Sequence, residues 1–138
     1  MAKFTGGCLC GDVRYEIDAD PALSGFCHCL DCQRASGGGH SAIAGFPSAA
    51  IRVTKGATTR YESFGGSGGA VVREFCGRCG SRMFSHSDRM GPLWMVALGS
   101  LDDSSALQPA MHIFGKDRPA WDHVSPDHMV FEHLPPGA

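Results

Sequence analysis

No apolar run in this chain approaches the roughly 20 consecutive residues that a membrane-crossing helix needs. The opening Met1-Ala2-Lys3-Phe4-Thr5-Gly6-Gly7 also lacks the apolar stretch of a secretory leader, so a cytoplasmic protein is expected. There is no block of like charge: twelve Lys and Arg stand against fourteen Asp and Glu, a net −2. That balance argues against a nucleic-acid surface or an anionic membrane as partner. Internal repeats are absent beyond the cysteine pairs discussed below, and no segment has the length and period of a long helix. Gly65-Gly66-Ser67-Gly68-Gly69 is glycine-rich but lacks the Lys-Ser/Thr pair and following helix of a phosphate loop, and reads as a hairpin loop.

What remains is one domain, 1–138, with 43% apolar residues, enough for an ordinary soluble core. Nineteen glycines and eight prolines punctuate short runs of alternating polarity, which predicts a mainly β fold. Strands are expected over Val13 to Ile17, His40 to Phe46, Ile51 to Thr54, Thr59 to Phe64, Ala70 to Phe75, Arg82 to Ser85, Leu93 to Leu98 and Met111 to Phe114. Single helical turns are expected over Cys32 to Ser36 and Asp102 to Ala106, and a frayed tail over Pro135-Pro136-Gly137-Ala138.

All seven cysteines fall in three tight clusters: Cys8 and Cys10; Cys27, Cys29 and Cys32; Cys76 and Cys79. Neighbours at such spacing bridge to each other only with strain, yet readily share one tetrahedral ion. An odd total in a reducing compartment further disfavours disulfides. Seven divides as four plus three. Cys76-Gly77-Arg78-Cys79-Gly80 has the form of a zinc knuckle, with Gly80 at the position that wants positive φ. Cys8 and Cys10, at i and i+2 on an extended segment, face one side and can reach the same ion. Cys8, Cys10, Cys76 and Cys79 therefore make a closed structural zinc site.

Cys27, Cys29 and Cys32 place three sulfurs on a short loop and leave a fourth vertex open. Three thiolates donate charge strongly, so a zinc there suits thiol chemistry better than water activation. His28 or His40 as a fourth ligand is the alternative, His40 being better placed to fold back. Asp31 is either a solvated turn residue or a proton acceptor beside the ion. Arg34 could pair with a substrate carboxylate, with Lys55 and Arg60 as further choices. Phe46, Phe64, Phe84 and Trp94, with Met83, Met90, Met95 and Met111, read as core before they read as pocket lining. His86, His123, His128 and His133 read as surface or satisfied residues rather than ligands.

The order of motifs, Gly6-Gly7-Cys8-Leu9-Cys10-Gly11, then Cys27-His28-Cys29-Leu30-Asp31-Cys32-Gln33-Arg34-Ala35-Ser36-Gly37, then Phe75-Cys76-Gly77-Arg78-Cys79-Gly80, resembles the glutathione-dependent formaldehyde-activating enzyme family, which includes centromere protein V. The likeness runs from about Gly6 to Trp121 and extends to His112-Ile113 and Pro119-Ala120-Trp121 near the end. It implies a β-tent fold of short antiparallel strands over a core of about 4–121, and the same partition into two zinc ions per chain. It implies carbon–sulfur lyase chemistry in which glutathione, a small thiol, adds to formaldehyde or a related aldehyde to give S-hydroxymethylglutathione. Cys27, Cys29 and Cys32 would be the catalytic set, with Arg34 binding substrate, and His112 is the histidine that the likeness favours. A zinc-stapled module that captures a thiol ligand or protein partner without turnover is the alternative.

Elemental analysis tests the partition. The purified protein should carry close to two zinc per chain, and Cys32→Ser should fold with one. Cys79→Ser should fail to fold, because structural zinc supplies about 10–16 kcal/mol in small peptides, comparable to a whole domain's stability.

Overall fold

The computed structural model describes residues 2–65 and 69–136. Two sheets account for the chain. The smaller has three antiparallel strands in the order β1 (Phe4–Gly7), β2 (Arg14–Ile17), β5 (Ile51–Lys55). The larger has eight, in the order β11 (Met129–Val130), β10 (Met111–Ile113), β3 (Leu23–Cys27), β4 (Ser41–Pro47), β9 (Leu93–Ala97), β8 (Arg82–Ser87), β7 (Ala70–Phe75), β6 (Thr59–Phe64). One short helix, α1 (Leu30–Ser36), joins β3 to β4. The mainly β architecture expected from the alternating runs is present, and the eight predicted strands fall on β2 and β4 to β10.

Alternation explains the local structure. In β2, Tyr15 and Ile17 are buried while Arg14 and Glu16 face out, and Glu16 pairs across the sheet with Arg52 of β5. The core lies between the sheets and is built from Val13, Tyr15, Ile17, Phe46, Met83, Phe84 and Val96. Tyr15 and Phe84 meet edge to face with centroids 4.9 Å apart, as do Phe4 and Phe46 at 5.4 Å. Buried Tyr15 hydrogen-bonds the Ser100 hydroxyl at 2.6 Å, and burial pushes its phenol up to about 12. Phe46, Phe84, Met83 and Met95 thus belong to the core as expected, whereas Phe64 is exposed.

Three features depart from the sequence reading. First, β10 runs parallel to both β3 and β11, so the larger sheet is mixed rather than antiparallel throughout. The pairing needs close backbone approach: a β-carbon at Gly25 would overlap the carbonyl of Met111. Second, β1, β3 and β11 went unpredicted because Phe4–Gly7 and Leu23–Cys27 are interrupted by glycine and Met129–Val130 is two residues long. Third, Asp102 to Ala106 is not helical. Leu101 bridges to Gly6, the Asp102 amide donates to Thr5, and its carboxylate accepts from Thr5 Oγ1 and pairs with Arg14. The glycine-rich expectation partly lies outside the described residues: Gly65 and Gly69 close the loop at 3.0 Å, and residues 66–68 fall within it. Of the tail, 137–138 lie outside as well.

Phe46 is fully buried between the sheets. Phe46→Ala should lower the stability of the metal-loaded protein by about 3–5 kcal/mol, read as a shifted denaturation midpoint.

Candidate metal centres

The first cluster stands where the two sheets meet. Cys8 and Cys10 come from the β1–β2 turn, and Cys76 and Cys79 from the β7–β8 turn. Their four sulfurs lie within 4.8 Å of one another. A tetrahedral site with metal–sulfur bonds of ~2.3 Å spaces its sulfurs by ~3.8 Å. Cys8 and Cys10 are 3.6 Å apart, Cys10 and Cys76 3.8 Å, so the cradle fits zinc as it stands. Both turns aim amides at sulfur: Val13 N donates to Cys8 Sγ at 3.2 Å and Arg78 N to Cys76 Sγ at 3.4 Å. Gly80 adopts φ +81°, as its place in the knuckle requires, and Gly11 mirrors it at +84°. Ser81 ties the turns together, accepting from Leu9 N at 2.9 Å and lying 3.2 Å from Cys79 Sγ. Its hydroxyl and amide hold the Cys79 thiol down to about 5.

The second cluster gathers Cys27 at the end of β3, Cys29 in the loop and Cys32 in α1, again with sulfurs within 4.8 Å of one another. Cys29 is also the N-cap of the helix, its sulfur accepting from Cys32 N at 3.3 Å. The loop is fixed by Gln33, whose amide donates to the carbonyls of His28 and Asp117, each at 2.9 Å. Hydrogen bonds from Cys27 and Cys29 hold the Cys32 thiol down to about 2, while the same contacts, with burial, push Cys27 up. No imidazole or carboxylate joins these three sulfurs among the described residues.

The histidines proposed as a fourth ligand have other partners. His28, fully buried, turns away from the sulfurs: its Nδ1 lies 3.0 Å from the Gly39 carbonyl and 3.1 Å from Asp122 Oδ2. His40 Nδ1 donates to the same Asp122 oxygen at 2.7 Å. His28 Nε2 and His112 Nδ1 share a proton at 2.7 Å, and His112 Nε2 and His128 Nδ1 share another at 2.9 Å. Four of the seven histidines thus form one network with Asp122 that runs to the half-buried His128. Burial, then the neighbouring rings, bring His112 down to about 4 and keep it neutral. His128 and His86 are satisfied residues, as expected, His86 bonding Glu74 at 2.7 Å and stacking on Trp94.

The predicted substrate contacts fare differently. Arg34 is exposed in the last turn of α1, and Asp31 is exposed in the first. Lys55 donates to the Gly11 carbonyl beside the first cluster, and Arg60 lies 3.9 Å from Glu74. The basic side chain whose charge is felt by the three sulfurs is Arg82, which the sequence reading missed. From β8 it crosses the end of β9 to donate to Ser41 Oγ at 2.6 Å, and Ser41 Oγ in turn donates to the Cys32 carbonyl at 3.3 Å. Burial lowers the Arg82 pKa, and the charges of Cys32, Cys27 and Cys29 oppose that. Its Nε is buried without a hydrogen-bond partner among the described residues, and it lines a cleft of about 400 Å³ beside the first cluster with Cys8, Arg14, Ser81, Leu101 and Asp102. Its only signal in sequence was a basic residue three places after Cys79.

Two sheets joined by one four-sulfur cradle, with a three-sulfur cradle at a helix start, define a mainly β protein whose cysteine clusters could hold metal ions. The family described as glutathione-dependent formaldehyde-activating enzyme matches residues 3–117, and the chain belongs to it. The crystal structure of a Rhodobacter sphaeroides protein shares the fold, with TM-score 0.59 and 22% identity over 76% of this chain and 91% of that one.

The neutral state of His112 has a pH signature. Its folded pKa, about 4, lies below the ordinary histidine value of 6.5, so the unfolded state binds more protons between them. Stability from this group is complete above pH 6.5 and is lost as pH falls toward 4. Histidine ring NMR should show His112 neutral down to about pH 4, and His112→Gln should shrink the acid-side loss of stability relative to wild type.

Proposed function

We propose that the protein adds a small carboxylate-bearing thiol, glutathione or a close analogue, to formaldehyde or a related aldehyde, as a carbon–sulfur lyase-type enzyme with S-hydroxymethylglutathione as the parent product. The carrying observation is the three-sulfur set of Cys27, Cys29 and Cys32, which no fourth described side chain completes, in a chain of this family. In the reaction one sulfur–carbon bond forms as the carbonyl π bond opens, and the thiol proton ends on the carbonyl oxygen. Zinc held by these sulfurs would supply a vertex where an incoming thiol is held as thiolate.

The chain's own residues do the rest. The α1 N-terminus and the Gln33 amide fix the three sulfurs in a half-buried loop, so little motion is needed when a ligand arrives. Arg82 brings a permanent positive charge to a group of thiolates whose formal charge with zinc would be about −1. That charge favours an anionic, carboxylate-bearing thiol. Arg82 is therefore the stronger candidate for substrate binding, and Arg34, exposed at the helix end, is placed for an outlying carboxylate only.

The test mixes glutathione and formaldehyde and follows the approach to equilibrium. Wild-type protein should exceed the uncatalysed rate, and Cys29→Ser should fall back to it. Equal rates overturn catalysis, and glutathione binding by calorimetry without acceleration would identify a thiol-capturing module instead.

A further inference from the structure

The network around Asp122 has a geometry that hydrogen bonding alone does not use up. Two imidazole nitrogens, His28 Nδ1 and His40 Nδ1, converge on one carboxylate oxygen at 3.1 and 2.7 Å, with the Gly39 carbonyl 3.0 Å from the first. They come from three segments: His28 from the β3–α1 loop, Gly39 and His40 from the α1–β4 loop, and Asp122 from the C-terminal stretch. Asp122 and His40 are 82 residues apart. We propose that His28, His40 and Asp122 form a third metal site, taking a divalent first-row transition ion of the zinc class, separate from the two thiolate clusters.

Ligand spacing supports it. Nitrogen and oxygen ligands bound tetrahedrally at ~2.0–2.1 Å lie ~3.3 Å apart; the His28 contact to Asp122 Oδ2, at 3.1 Å, is close to that, the His40 contact, at 2.7 Å, has to open, and one ligand atom from each of the three residues lies within 4.8 Å of the others. Two of the donors are imidazole nitrogens, which suit zinc and its late transition-metal neighbours, whereas magnesium and calcium favour all-oxygen sets. The Gly39 carbonyl offers a fourth donor.

The surroundings are those of a ligand set. A metal-bound imidazole needs its other nitrogen held by an acceptor, which fixes the ring. His28 has one in His112, and His112 has one in His128. With an ion on His28 Nδ1, the proton on that ring sits on Nε2 and is donated to His112 Nδ1, and His112 Nε2–H is donated to His128 Nδ1. Each ring keeps one proton, so the chain reverses polarity without any ring becoming charged. The backbone is also cleared for the carboxylate, since a β-carbon at Gly39 would overlap Asp122. Arg118 holds the segment by donating to the Asp122 carbonyl at 2.7 Å.

Charge and access agree. Two neutral rings and one carboxylate leave a bound divalent ion with a formal charge of about +1, opposite to the about −1 of a zinc on Cys27, Cys29 and Cys32. The sites are joined through the Cys27-His28-Cys29 backbone, so each partly neutralises the other. The His40 side chain is 31% exposed while His28 is fully buried, which gives the ion an entrance on the His40 side.

The test titrates Co²⁺ into full-length protein that already holds zinc on its thiolates. One further equivalent should bind, with visible bands of nitrogen and oxygen coordination and no sulfur-to-cobalt charge-transfer band. His40→Ala and Asp122→Asn should abolish that equivalent, and His112→Gln should weaken it about 10–100-fold. No further equivalent in wild type overturns the site, as does one retained unchanged in both ligand variants. A charge-transfer band instead places the cobalt on an unfilled thiolate cluster and counts against the site. The wild-type titration decides even if a variant fails to fold, and none of these outcomes depends on glutathione turnover.

Discussion

Four sulfurs meeting at the join between two sheets are what the rest of the molecule leans on. Cys10 and Cys76 are 66 residues apart, and their contact sets the β1–β2 turn against the β7–β8 turn. That fixes the smaller sheet over the face of the larger, where Tyr15 packs on Phe84 and Phe4 on Phe46. A core of this size gives a margin of only ~5–15 kcal/mol, so an ion held by these four sulfurs would be part of the fold rather than an accessory. The tie between Arg14 and Asp102, with the Gly6–Leu101 bridge, secures the same join but is half exposed and contributes less.

With that join fixed, the other sulfur cluster is free to do something else. Its loop is held by local devices: a cysteine that caps the helix containing another cysteine, a glutamine that bonds two carbonyls, and an arginine from a distant strand. None of these crosses between the sheets to close the core. The difference between the two clusters, four sulfurs at the join of the sheets and three at a helix start, follows from where each sits in the topology.

The legible part of this protein was the part written in local spacing. Strands β6 and β7 run over the predicted residues because Thr59–Phe64 and Ala70–Phe75 alternate and a glycine-rich loop separates them. Gly80 was readable because a knuckle needs a positive φ after its second cysteine. Strand β3 was not, since Leu-Ser-Gly-Phe-Cys has no alternation and its glycine reflects a parallel neighbour that arrives from more than eighty residues away. Arg34 was chosen over Arg82 for the same reason: closeness along the chain stood in for closeness in space, and a helix end turned Arg34 outward.

By itself the sequence determined which sulfurs pair within each cluster, because cysteines with one or two residues between them have too little intervening chain to point apart, while the fold brings Cys8 and Cys10 to Cys76 and Cys79. It determined the mainly β character, through alternation and frequent turns. Only the tertiary structure decided what His28 does, although it stands between two of those cysteines. Its ring follows neither of its neighbours but joins Asp122 and His112, with His40 and His128 beyond them, and His112, 84 residues off, reaches it because β10 lies parallel to β3. Sulfur pairing here is a property of chain length between ligands, and histidine pairing is a property of which strands the fold sets side by side.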